Sequence, residues 1–270
     1  MSDIFSLEGE VAIVTGALGK LGPIWTETLL DAGARVCGLD RPAQEICENF
    51  AQLAERFGSS RLQLLEADVR DRGALEEAVQ RCLELFGTPS ILVNNAGIDQ
   101  PPGSSSRGYL LEDIPLDINR QIFEVNSLGL FQVTQVVGRY MVAARRGSIV
   151  NIGSLYASVA PDSRFYDHLD CEPPFLKPPA YGASKAAVVN FSRYLATLWA
   201  PYGVRVNVLS PGGVLGDQDA DFKRKFCERV PLGRMATAED LRGPLLFLAS
   251  RASSYVTGTE LLVDGGFTAW

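Results

Sequence analysis

Tyr181 and Lys185 stand four residues apart in Tyr181-Gly-Ala-Ser-Lys185, and on a helix that spacing puts both side chains on one face. A phenol titrates near pH 10 and is a poor base at neutral pH. An ammonium about 6 Å away contributes about 2.8 kcal/mol at an effective dielectric of about 20, which favours the phenolate and suits the pair to general acid–base work. Upstream, the hydroxyl of Ser154 can hold and polarise a reacting oxygen. Near the N-terminus, Thr15-Gly-Ala-Leu-Gly-Lys-Leu-Gly22 precedes a helix opened by Pro23. Glycines at 16, 19 and 22 let the backbone turn sharply and approach a pyrophosphate at the positive end of that helix. Asp40 closes the next strand, where a carboxylate accepts hydrogen bonds from both adenosine ribose hydroxyls and repels a 2'-phosphate. NAD is therefore favoured over NADP, against the cations Lys20 and Arg41. The structural alternative for Asp40 is a cap on the following helix.

Other chemistries are excluded by composition. A single histidine, His168, serves 270 residues, so a zinc site built on several histidines is impossible. Five cysteines, with no C-x-x-C pair, point to reduced thiols in a cytoplasmic protein. The net charge of -7 argues against nucleic acid and anionic membranes as partners. Residues 1–10 lack a secretory profile, and no apolar run reaches membrane-spanning length. No metal is expected.

Seven short apolar runs must position these residues: 11–14, 35–39, 62–65, 91–93, 148–152, 204–208 and 261–263. Each is rich in branched residues and bounded by Gly, Asp, Asn or Pro, as buried strands are. Between them lie helical patterns at 23–32, 42–57, 72–86, 116–144, 180–200 and 238–250. The alternation predicts an α/β fold, a doubly wound parallel (Rossmann) sheet of about seven strands with helices on both faces, in one domain spanning 1–270. Two long segments break the rhythm, 155–179 and 211–236, on the edge where such sheets bind ligands.

Taken together, these motifs resemble the short-chain dehydrogenase/reductase family, in its single-domain branch, over almost the whole length. The match includes Thr15 to Gly22, Asp68-Val69, Asn94-Asn-Ala-Gly97, Asn126, Ser154, Tyr181, Lys185, Pro211-Gly-Gly213 and Val263-Asp-Gly-Gly266. The resemblance implies hydride transfer between a nicotinamide cofactor and a secondary alcohol or ketone. Tyr181 would be the proton donor or acceptor and Ser154 would hold the reacting oxygen. Lys185 would bind the nicotinamide ribose, and Asn126 would seat a relay water. Gly16, Gly19, Lys20, Leu21, Gly22, Asp40, Arg41, Asp68, Val69, Asn95, Ala96, Gly97, Pro211, Gly212 and Val214 would complete the cofactor site with Tyr181 and Lys185. It further implies a homotetramer or homodimer.

Three departures stand out. Lys20 occupies the middle glycine of the usual Thr-Gly-x-x-x-Gly-x-Gly turn. The threonine that often follows Pro-Gly is absent at 211–217. Segment 155–179 is about twice the family's usual length. As the segment joins Ser154 to Tyr181 it is expected to be a substrate-side lid, with Arg164 and His168 as substrate contacts and an Arg164–Asp162 pair as the structural alternative. The 160–166 and 178–182 stretches and the Asp264-Gly-Gly-Phe-Thr-Ala-Trp270 ending are similar to sugar-pathway oxidoreductases, implying a polar sugar, sugar acid or polyol. A ketoacyl or general carbonyl reductase, an NAD-bound dehydratase or epimerase, and a redox-silent NAD sensor or scaffold are the competing readings.

Overall fold

Near-continuous apolar runs such as Val11–Thr15 and Ile91–Asn94 require cover on both faces of the sheet, and the fold supplies it. The structure is a computed structural model that describes residues 3–99 and 108–270. In chain order the elements are β1 (Val11–Thr15), α1 (Gly22–Asp31), β2 (Arg35–Asp40), α2 (Glu48–Phe57), β3 (Leu62–Glu66), α3 (Arg72–Phe86) and β4 (Ile91–Asn94). They continue with α4 (Leu116–Phe123), α5 (Leu130–Ala144), β5 (Gly147–Ile152), α6 (Pro179–Trp199), β6 (Val204–Pro211), α7 (Ala220–Arg229), α8 (Ala238–Ala249) and β7 (Glu260–Val263). The seven strands pair in the order β3-β2-β1-β4-β5-β6-β7, all parallel. The order reverses between β1 and β4, so a crevice opens at their carboxyl ends.

Side chains alternate between two cores. Ala12 and Val14 of β1 face Trp25 and Leu29 of α1, Phe50 of α2 and Leu245 of α8. Val11 and Ile13 face Leu75 and Val79 of α3, Val133 and Val137 of α5, and Leu195 of α6. Between the layers runs a buried polar ladder. Asn94 Nδ2 donates to Thr134 Oγ1 and Asn151 Oδ1, and Asn151 Nδ2 donates to Ser192 Oγ, each at 2.8 Å. These bonds tie β4 and β5 to α5 and α6 across the core.

Three expected elements differ. The helix expected from 42 begins at Glu48, because Ala43 has a positive φ of 56° and Cys47 is extended. The helix expected over 116–144 is divided by one π-helical turn, Glu124–Gly129, which carries Asn126; such turns commonly re-aim a side chain at a site. Segment 211–236 contains α7, capped by Asp219, whose carboxylate accepts from Phe222 N at 2.8 Å. No helix among the described residues is long and apolar enough to cross a membrane.

Candidate active site

The carboxyl edge of the sheet borders a cleft of about 720 Å³. One end is the glycine turn after β1. Gly16 has a φ of 62°, and a β-carbon there would meet Ala96 Cα at 2.9 Å; one at Gly22 would meet Gly16 O at 2.3 Å. Only hydrogen fits at either position. Leu21 at the start of α1 gives no side-chain cap, and the positive end of that helix borders the cleft through Gly19, Lys20 and Leu21, a setting that suits an anion. Thr15 Oγ1 accepts from the amides of Asn95 and Ala96, both at 3.1 Å. Asn95 Nδ2 donates to the carbonyls of Thr15 and Gly16, and Asn95 Oδ1 accepts from Trp25 Nε1. The Asn95 amide thus braces the turn, while Ala96 and Gly97 present backbone to the cleft.

Asp40 ends β2 at the cleft wall. Its Oδ2 accepts from Leu18 N and its Oδ1 from Arg41 N, both at 2.8 Å. It caps no helix. A carboxylate has about four acceptor positions, so each oxygen keeps capacity for a ribose hydroxyl. Arg41 is turned to Gln44. Lys20 crosses toward the 211–219 segment, where a β-carbon on Gly216 would lie 2.0 Å from Lys20 Nζ. Asp68 is held by the fork of Arg70, Nε to Oδ1 at 3.0 Å and Nη2 to Oδ2 at 2.7 Å; that guanidinium holds its carboxyl below the usual carboxylate range. Val69, Pro211, Gly212 and Val214 also line the cleft.

At the other end, Ser154 follows β5 by two residues and Tyr181 sits in the first turn of α6, both lining the cleft. Lys185, one turn on, is buried; its Nζ lies 5.9 Å from the Tyr181 ring centroid and donates to Ile152 O at 2.8 Å. Burial pulls the Lys185 ammonium down to about 8. The phenol of Tyr181 moves the other way: burial and the charge of Asp99 push it up, against the lowering effect of the Ser154 hydroxyl. Lowering of the phenol by Lys185 was expected from sequence; the displacement is instead upward, with burial its largest cause. Asn126 accepts from Ile98 N at 2.8 Å and donates to Ile98 O and Ser184 Oγ at 3.0 and 3.1 Å. It does not bond Lys185 directly; both border the open side of Gly97.

Segment 155–179 is only partly a cleft wall. Leu155, Tyr156, Tyr166 and Lys177 line it. Leu155, Phe165, Tyr166 and Phe175 pack with Phe222 and Phe226 of α7, Met235 and Phe267 into a third apolar cluster. Arg164 and His168 do not line the cleft, contrary to expectation. Arg164 grips Asp162 through Nε and Nη2 at 2.9 and 2.6 Å and is solvent-exposed, the local ion pair having won over a more distant anion. His168 Nε2 is 2.8 Å from Asp219 Oδ1, and its Nδ1 is 3.1 Å from Lys225 Nζ, so it ties the segment to α7. Sequence reasoning missed Tyr156, Gln218, Asp99 and Lys177 as lining residues. Tyr156 and Lys177 carry a signal in retrospect, since each is within four residues of an expected site residue.

A glycine-cradled helix terminus at a topological switch point, leading to a Ser-Tyr-Lys set, defines a dinucleotide-binding oxidoreductase. A family model described as enoyl-(acyl carrier protein) reductase matches residues 21–268. The chain belongs to the short-chain dehydrogenase/reductase family. It is 32% identical over 273 residues to an NAD-dependent glycerol dehydrogenase of Listeria innocua, covering 98% of this chain and 96% of the relative. It is 34% identical over 275 residues to the L-tagatose-forming galactitol 2-dehydrogenase of Cereibacter sphaeroides, covering 99% and 98%. The crystal structure of a gluconate 5-dehydrogenase from Burkholderia cenocepacia, in complex with NADP and tartrate, superposes with a TM-score of 0.83 at 32% identity, covering 99% of this chain and 98% of that one. The protein is an NAD(P)-dependent oxidoreductase acting on CH–OH groups. Relatives using NAD and holding NADP both occur, so the preference for NAD over NADP is not carried by kinship.

Proposed function

We propose that this protein interconverts a polyhydroxylated secondary alcohol, a polyol or sugar acid, and its ketone, with the whole chain working as one domain. One observation carries the reading: Ser154, Tyr181 and Lys185 share a cleft with the glycine turn, and among its apolar walls stand the polar groups of Tyr156, Tyr166, Asp99, Lys177 and Gln218. The glycerol, galactitol and gluconate dehydrogenases among the relatives support it.

The glycine turn at the start of α1 would hold the pyrophosphate, Asp40 the adenosine ribose, and Lys185 the nicotinamide ribose. A nicotinamide cofactor bound there would supply the hydride acceptor for the carbinol carbon or, when reduced, the hydride donor for the ketone. Ser154 fixes the substrate oxygen, and Tyr181 removes or supplies its proton. Asn126 holds the Gly97–Ile98 backbone beside Lys185 and so shapes the route by which that proton reaches solvent. Asp40 supports NAD as the working cofactor. Leu116, Phe123, Leu128 and Phe131 expose apolar surface along α4, the π-turn and α5, which supports a homodimer or homotetramer through that face.

Turnover of glycerol, galactitol, gluconate and a ketoacyl thioester with each cofactor tests the reading. Oxidation of a polyol or aldonate is expected. Turnover of the thioester alone would replace it with the carbonyl-reductase alternative. Tight cofactor binding without any turnover would favour the sensor.

A further inference from the structure

An ion pair that no sequence motif announces stands beside the reacting phenol. Lys177, from segment 155–179, donates to Asp99 Oδ2, from the stretch after β4. Its Nζ lies 4.9 Å from the ring centroid of Tyr181 and 5.6 Å from that of Tyr156. The Lys177 side chain is 8% exposed and that of Asp99 31%, so the carboxylate is the more accessible partner. Both line the cleft that holds Ser154 and Tyr181.

We propose that the Lys177–Asp99 pair is the specificity element of the active site and selects neutral polyols, and the ketoses they form, over sugar acids. The inference rests on the polyol or sugar-acid reading above and decides between its two classes. An ammonium has three donor positions and a carboxylate about four acceptor positions, so each partner keeps capacity after pairing with the other. They present a donor and an acceptor side by side. A vicinal diol matches that arrangement: one hydroxyl donates to Asp99 while its neighbour accepts from Lys177. An aldonate carboxylate in the same place gains Lys177 but meets the like charge of Asp99 at short range in a partly desolvated cleft, where such repulsion is strong. The pair is overall neutral, and so is the substrate it fits. Relatives of both classes share this fold, so the choice falls to side chains outside the shared motifs, and these two join segments 78 residues apart in sequence.

The test compares kcat/KM for galactitol, glycerol and gluconate in the wild-type enzyme and in Asp99→Asn and Lys177→Met, with cofactor Kd measured by titration. The wild type is expected to favour a neutral polyol by tenfold or more. Asp99→Asn keeps the shape, removes the negative charge, and is expected to move the gluconate-to-polyol ratio at least tenfold toward gluconate. Lys177→Met is expected to raise KM for the polyol at least tenfold with cofactor Kd unaltered. Preference of the wild type for gluconate, or turnover of both classes with a ratio that Asp99→Asn leaves within twofold, overturns this inference alone. Turnover of neither class overturns the proposed function and this inference with it.

Discussion

Lys185 stands one helical turn from Tyr181, its Nζ 5.9 Å from the phenol ring, yet gives its hydrogen bond to the carbonyl of Ile152 at 2.8 Å. The two groups are displaced in opposite directions by the same cause. Burial disfavours the charged form of each, raising the phenol and lowering the ammonium.

That displacement sets a pH dependence. Alcohol oxidation uses the phenolate, and a phenol pushed above its ordinary value of about 10 leaves little phenolate at neutral pH. Oxidation is therefore expected to rise with pH from about 7 to about 10, while ketone reduction, which uses the phenol, stays level over that range. Initial rates in both directions across this interval check it; a level oxidation profile refutes the assignment.

Tyr181→Phe is expected to bind cofactor as the wild type does and to lose a hundredfold or more in kcat, the usual worth of a positioned acid–base group. Cofactor titration beside steady-state rates measures both. A variant that keeps a tenth of the activity removes Tyr181 from proton transfer.

Asp40→Ser is expected to shift the NAD-to-NADP ratio of kcat/KM toward NADP, because the carboxylate facing the ribose is gone. The same carboxylate accepts from Leu18 N and Arg41 N, so a loss of about 1–2 kcal/mol in stability accompanies the change. Thermal melts and paired kinetics separate the effects. A wild type that already prefers NADP would assign the choice to Lys20 and Arg41.

Asn126→Ala leaves both backbone groups of Ile98 and the Ser184 hydroxyl without their partner. A destabilisation of about 1–3 kcal/mol is expected, together with a fall in kcat as the wall beside Lys185 loosens. Denaturant unfolding and kcat check the two parts, and an unchanged kcat limits Asn126 to a structural role.

Arg164→Ala is expected to leave substrate KM within about twofold, since exposed ion pairs such as Arg164–Asp162 contribute at most about 1 kcal/mol and this one lies outside the cleft. A tenfold rise in KM would restore Arg164 as a substrate contact.

Strand positions, the glycine turn and the Tyr181–Lys185 spacing were legible in the sequence because each is a local matter: period, backbone sterics and helical rise act over a few residues. Even α7 left a local trace in Phe222 and Phe226, four apart, although the polar residues around them masked it. The π-turn at Asn126 was not legible, and the partners of its side chain, the backbone of Ile98 and the hydroxyl of Ser184, lie far away in the chain. Arg164 had a carboxylate two residues away and an imagined ligand further off, and only the folded chain decided between them. Sequence alone determined the fold class and supplied Ser154, Tyr181 and Lys185 as the proposed acid–base set. Tertiary structure decided the direction in which Tyr181 is displaced, since burial in the finished cleft is the largest influence on that phenol. It also decided that Asp99 and Lys177 meet beside that phenol, because charges far apart in the chain become neighbours only when the loops after different strands converge on one edge of the sheet.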